Sequence, residues 1–119
     1  VVGHLGEALP FWLFRLDYMH RASVAANRYE GMKPLKKRPS DYLREHIHVT
    51  SSGMADEAAI LYCQKVLGVE RVLYAMDYPY QFVADEVRTS DALAISDADK
   101  KKFFQTNAEK VFRLQRATR

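Results

Sequence analysis

Apolar residues recur along the chain in two rhythms. From Leu9 to Asn27 they fall at helical spacing, with Leu9, Trp12, Leu13, Leu16 and Met19 on one wide face and Pro10 suited to a first helical turn. From Val69 to Met76 they run almost without interruption through Val72-Leu73-Tyr74-Ala75-Met76, the pattern of a parallel strand covered on both faces. Between these segments the chain predicts a connection over Gly31 to Pro39 and a short turn at Asp41-Tyr42-Leu43, with Ser40 accepting from its free N–H groups. A brief strand follows at Ile47-His48-Val49-Thr50, closed by Ser51-Ser52-Gly53. A second helix spans about Ala55 to Leu67, with Asp56 and Glu57 at its positive end and Gly68 as its stop. After Asp77 and Tyr78-Pro79-Tyr80 come a helical turn or two near Phe82 to Arg88. A helix capped by Ser96 then runs through Phe103-Phe104, and Thr106-x-x-Glu109 reads as a second capping box, ahead of a basic helix end.

Val1-Val2 leading into Gly3-His4 reads as the end of a strand. The order is then strand end, helix, strand, helix, strand, helix, which builds a parallel sheet with crossover helices. At 119 residues the chain is one domain at most. It is also far short of the roughly 250 residues of a closed barrel, so the expectation is a single partial domain over 1–119. Standing alone, it would expose sheet edges and apolar helix faces, which points to pairing with further sequence or with copies of itself as a homo-oligomer.

Composition narrows the function classes. Hydrophobic residues make up 48% and charged residues 28%, so the chain is built to fold. The apolar stretch around Leu9 to Phe14 is too short to cross a bilayer, which argues against a membrane partner. Lys and Arg number 18 against 15 Asp and Glu. The one basic cluster, Lys33, Lys36, Lys37 and Arg38, has no stacking aromatic among its members, so a solvated loop is expected rather than a nucleic-acid interface. The single cysteine, Cys63, suits a reducing cytoplasm and a buried small side chain.

In parallel α/β architectures functional side chains gather where strands end. That places His4, Thr50, Ser51, Ser52 and Asp77 on one rim, with Glu7 three residues beyond His4 as a possible orienter of its ring. Asp77 suits a divalent metal or proton transfer, or else caps a turn. His4 is either a hydrogen-bonded structural residue or a site residue. His46 and His48 have H-x-H spacing, but His46 precedes the strand, which argues against a metal pair. His20, late on the first helix, reads as a surface or interface residue. Arg15 and Asp17, two apart on a helix, need separate partners. Nucleotide, phosphate-loop and serine-hydrolase motifs are absent from the sequence.

Four segments carry a joint resemblance: Gly3-His4-Leu5-Gly6-Glu7-Ala8-Leu9-Pro10-Phe11, Phe14-Arg15-Leu16-Asp17, His48-Val49-Thr50-Ser51-Ser52-Gly53 and Met76-Asp77-Tyr78-Pro79-Tyr80. Together they resemble the C-terminal third of the amidohydrolase-superfamily decarboxylases, the branch of the γ-resorcylate, 2,3-dihydroxybenzoate and 5-carboxyvanillate enzymes. The resemblance implies the last part of a (β/α)8 TIM-type barrel, from about strand six through helix eight, and a hydroxylated aromatic acid as substrate. By the same resemblance Asp77 binds a divalent metal, zinc or manganese, and handles a proton. His4 lies in the substrate site, Glu7 hydrogen-bonds it, Arg15 lies close by, and Tyr80 is a substrate-contacting ring. The family's other metal ligands fall outside this sequence, so the chain alone is expected to be inactive and to bind metal weakly. The alternatives are a barrel that hydrolyses a lactone or amide, and a non-enzymatic oligomerising module.

Overall fold

The computed structural model describes residues 1–114. The basic end expected beyond Leu114 lies outside them. At the centre are three parallel segments. β1 (Val49–Thr50) pairs on one side with β2 (Val72–Leu73) and on the other bridges Val2, with Val2 N–H donating to the His48 carbonyl and Thr50 N–H to that of Val2. Helices α1 (Leu9–Ala25), α2 (Pro39–His46) and α3 (Glu57–Leu67) fill the crossovers. After β2 come α4 (Glu86–Asp91), α5 (Asp97–Lys101) and α6 (Asn107–Val111). The expected α/β alternation is present as a small partial piece. Its core joins Leu5, Leu13, Val49, Ile60, Cys63, Leu67, Val72, Leu93 and Phe103.

β2 is shorter than the apolar run predicts. Residues Val69–Arg71 form a 3-10 turn, and beyond Leu73 the backbone donors go elsewhere: Tyr74 N–H to the Phe103 carbonyl and Ala75 N–H to the Ser51 hydroxyl. The segment leaves the ladder there. The buried Asn107 amide secures its start by donating to the carbonyls of Val69 and Val72 at 2.8 and 2.9 Å.

Two capping expectations fail. The Asp41 turn is a full helix with Pro39 in its first turn, and Ser40 does not cap it; instead Asp17 reaches across from α1 to accept from Ser40 N–H and Oγ–H at 2.8 and 2.7 Å. A carboxylate is the stronger acceptor and pins two helices together. Thr106 starts no helix. α5 runs into α6 through a π-helical stretch, Lys102–Thr106, so the Thr106 backbone is already helical and its side chain makes no cap bond. Ser96 does cap, accepting from Asp99 N–H, and Gly68 closes α3 at φ 107°; Asp56, expected inside the first turn of α3, is instead its cap and accepts from Ala59 N–H. The turn expected at Phe82 to Arg88 forms later, as α4.

The radius of gyration is 17.0 Å, against about 13–14 Å for a closed domain of this length. On α1, Phe11 and Phe14 are 77% and 80% exposed. On the wide apolar face of α1 Leu13 is buried and Leu16 and Met19 are half-buried, while Leu9 and Trp12 are exposed, a partly uncovered helix face as expected. No helix among the described residues is long and apolar enough to cross a membrane.

Gly6 is where the chain most needs the absence of a side chain. Its φ is +76°, and a Cβ there would lie 2.8 Å from Cγ1 of the fully buried Val49 and 3.3 Å from Pro10 Cδ. Gly6→Ala is expected to cost about 2–4 kcal/mol, combining overpacking with left-handed strain, as measured by denaturant unfolding.

Candidate active site

The loops that follow the three parallel segments meet at one rim, and two adjacent serines join them. Ser52 holds the His4 loop: its Oγ accepts from His4 N–H at 3.2 Å and lies 2.9 Å from Thr50 Oγ1, while its carbonyl is 2.7 Å from His4 Nδ1. Ser51, fully buried, holds the Asp77 loop. Its hydroxyl accepts from Ala75 N–H and donates to the Ala75 carbonyl, both at 3.2 Å.

A carbonyl only accepts, so His4 carries its proton on Nδ1 and, when neutral, presents Nε2 as a bare lone pair. The backbone at both leading candidates is left-handed, with φ 50° at His4 and 69° at Asp77, and Leu5 and Glu7 share that conformation at 52° each. Such conformations cost free energy in non-glycine residues and persist where surrounding contacts over-determine them. The Tyr78–Pro79 bond is cis, and Gln81 N–H closes the loop by donating to the Asp77 carbonyl at 3.0 Å. The Gln81 amide rests on Gly53, where a Cβ would approach its Oε1 to 2.7 Å. The Asp77 loop is therefore tied to the Ser51–Gly53 turn at both ends.

The remaining candidates divide. Glu7 lies beside His4, and the described link between them is a backbone one: Glu7 N–H donates to the His4 carbonyl, while the Ser52 carbonyl engages the ring at Nδ1. The left-handed turn exposes Glu7, which is the physical reason. Arg15 sits on the exposed side of α1 with its guanidinium 5.9 Å from the Tyr18 ring centre, lining a cavity of about 240 Å³ with Phe11 and Trp12. It shares no described contact with His4 or Asp77. Tyr80 is 88% exposed on the Asp77 loop. His46 ends α2 and is exposed beside Glu45, whereas His48 precedes β1 with its Nε2 3.2 Å from Arg71 Nη1, so the two do not form a pair. Burial and the Arg71 charge both hold His48 below the usual imidazole range. His20 accepts from Leu35 N–H at 3.4 Å.

A cavity of about 700 Å³ lies away from this rim, between the second half of α1 and the Pro34–Pro39 loop. There Lys37 pairs with Glu45 and Arg38 with Asp41, while Lys33 and Lys36 are exposed. Spacing and composition pointed to neither the Gln81–Gly53 contact nor Glu86, a buried acid on a short helix, since an isolated Glu in a polar stretch reads as a solvated side chain.

A metal is poorly served by these residues alone. Among the described residues no group of three His, Cys, Asp or Glu side chains can hold an ion, and the Nδ1 of His4 is already engaged. The rim provides single donors, not a set.

The amidohydrolase family model matches residues 1–114. The chain belongs to the amidohydrolase family. Against one relative, gamma-resorcylate decarboxylase of Rhodococcus jostii strain RHA1, it is 34% identical over 116 residues, covering 98% of this chain and 34% of the relative. It also superposes on the structure of 5-carboxyvanillate decarboxylase from Novosphingobium aromaticivorans DSM 12444, complexed with manganese and 4-hydroxy-3-methoxy-5-nitrobenzoic acid. There the TM-score is 0.89 and the identity 64%, over 94% of this chain and 32% of that one. A dihydroxybenzoic acid decarboxylase from Polaromonas sp. JS666, with bound manganese and 2-nitroresorcinol, gives a TM-score of 0.79 at 31% identity, over 98% and 34%. The chain spans about a third of the length of these amidohydrolase relatives.

Cys63 lies beneath the His4 loop, its Sγ 3.8 Å from the Leu5 carbonyl, and burial pushes the thiol up to about 11. The unfolded thiol ionises from about 9.0, so between these values the unfolded chain releases a proton that the native chain keeps. Stability is then expected to fall as pH rises from about 9 to 11, and native Cys63 to react with iodoacetamide at about pH 9 at least tenfold more slowly than in urea. Ser51→Ala, which leaves both polar groups of Ala75 without their partner, is expected to cost about 1–3 kcal/mol in the same unfolding assay.

Proposed function

We propose that this chain is the C-terminal part, about strand six to helix eight, of a (β/α)8 barrel that decarboxylates a hydroxylated aromatic acid without oxidation. The observation that carries the reading is the coincidence, at the ends of parallel strands, of His4 and Asp77 in left-handed backbone on loops tied to adjacent serines. The manganese-containing decarboxylase structure that matches at 64% identity supports it.

The chemistry asked of these residues is proton handling. Protonation of the ring carbon that bears the carboxylate turns it tetrahedral; the bond to the carboxylate then breaks, its electron pair restores the aromatic ring, and carbon dioxide leaves. Asp77 is assigned the proton, and His4, fixed as the Nδ1–H tautomer, presents Nε2 to the phenolic oxygen ortho to that carbon. Arg15 and Tyr80 lie on exposed surfaces that further sequence would cover, and are assigned to the substrate's charge and ring. Glu7 is assigned to the rim beside His4, acting through the loop backbone. A divalent metal, manganese or zinc, would take one carboxylate from Asp77 and its other ligands from outside these residues. The single thiol is consistent with a cytoplasmic enzyme, and the bare α1 face with closure by the rest of the barrel or a homo-oligomer.

Absorbance assays of dihydroxybenzoate or carboxyvanillate loss test this reading in the complete polypeptide. Asp77→Ala is expected to lower turnover by about 10²–10⁴-fold, and the 119-residue chain alone to give none. Unchanged turnover in the variant removes Asp77 from the reaction.

A further inference from the structure

Three buried polar atoms near the Asp77 loop have no hydrogen-bond partner among the described residues: Tyr74 Oη, Glu86 Oε1 and Ser90 Oγ. Glu86 is 4% exposed and Ser90 0%. Glu86 and Ser90 are four apart, hence on the same face of α4 one turn from each other. Tyr74 lies within reach of the Glu86 charge, which adds to burial in raising the hydroxyl's hold on its proton. Buried hydroxyls and carboxyls are almost always satisfied, so three of them on neighbouring segments without a protein partner call for a bridging species with about three polar contacts.

Their place in the chain gives the cluster a role. Tyr74 and Glu86 bracket residues 75–85, the stretch that contains Asp77 and Tyr80. Glu86 also lines a cavity of about 200 Å³ with Gly53, Gln81 and Thr89. Gln81 is the residue that closes the Asp77 turn through its N–H. We propose that Tyr74, Glu86 and Ser90 bind one internal water as a polar clasp, closing the base of the Asp77 loop and making Glu86 a positioning residue for the Asp77 carboxylate. Burial pushes the Glu86 carboxyl upward, and a carboxyl in either protonation state can bond such a water while the two hydroxyls rotate to suit. The proposal rests on the reading of Asp77 as a reacting group.

Hydrogen exchange in the complete protein tests the clasp apart from the chemistry. In Glu86→Leu, amides of residues 77–82 are expected to exchange at least tenfold faster while those of α1 and α3 hold their rates. Turnover should fall at least tenfold with KM within threefold, and Glu86→Gln, which can still bond a water, should restore both within threefold. Should Glu86→Leu not fold, Tyr74→Phe and Ser90→Ala each remove one oxygen and are expected to raise the same amides' exchange threefold or more. Unaltered exchange at 77–82, a rise spread evenly over the chain, or failure of Glu86→Gln to rescue overturns the clasp. Faster local exchange in a protein whose Asp77→Ala variant keeps full turnover upholds the clasp as a loop anchor and refutes only the reaction assigned to Asp77.

Discussion

The rim depends on one constraint: two consecutive serines after β1 supply hydrogen bonds that the flanking strands cannot. Ser51 answers both backbone groups of Ala75 with a single hydroxyl, and Ser52 answers His4 with its hydroxyl and its carbonyl. Each grip lies at a point where the ladder has stopped and the backbone must turn. The left-handed conformations at His4 and Asp77 follow, because a chain held on one side by a serine and forced away from its strand has few other paths. Strain of this kind is tolerable in a loop whose ends are fixed and whose far side is free to meet a ligand.

The rim also explains why much of the core lies beneath it. Leu5 belongs to the His4 turn yet packs with Val49, Ile60 and Cys63, so the loop carrying the histidine is anchored by its own hydrophobic residue. Cys63 sits against the Leu5 carbonyl as a neutral small group, its ionisation suppressed by burial. Farther out, Asp17 and Arg44 lock α2 to α1 and α3 through Ser40 and the Val66 carbonyl, which fixes where β1 begins. Charges on the outer loop, by contrast, pair at the surface, where ion pairs contribute little to stability.

What the chain leaves uncovered is as informative as what it buries. Val49 and Val72 are fully enclosed by a few short elements, while aromatic residues of α1 and of the Asp77 loop stand exposed. A length of about a third of the amidohydrolase relatives and an extended radius of gyration agree with that division. The single donors at the rim fit it too, since a metal set needs more groups than these loops bring together.

Local sequence determined the alternation of helices with short parallel strands, the cap at Ser96, the stop at Gly68 and the separation of His46 from His48. Periodicity, capping chemistry and glycine act over a few residues. It also marked His4 and Asp77, because polar residues directly after apolar strands fall where loops converge. Tertiary structure alone decided the partners: Ser52 rather than Glu7 on the imidazole, Asp17 rather than Ser40 at the start of α2, and a π-helical continuation where Thr106 suggested a new beginning. It also buried Glu86 and cut β2 to two ladder residues, as the Phe103 carbonyl and the Ser51 hydroxyl took the next donors. Such contacts join residues tens of positions apart, and their energies depend on geometry that no local pattern encodes.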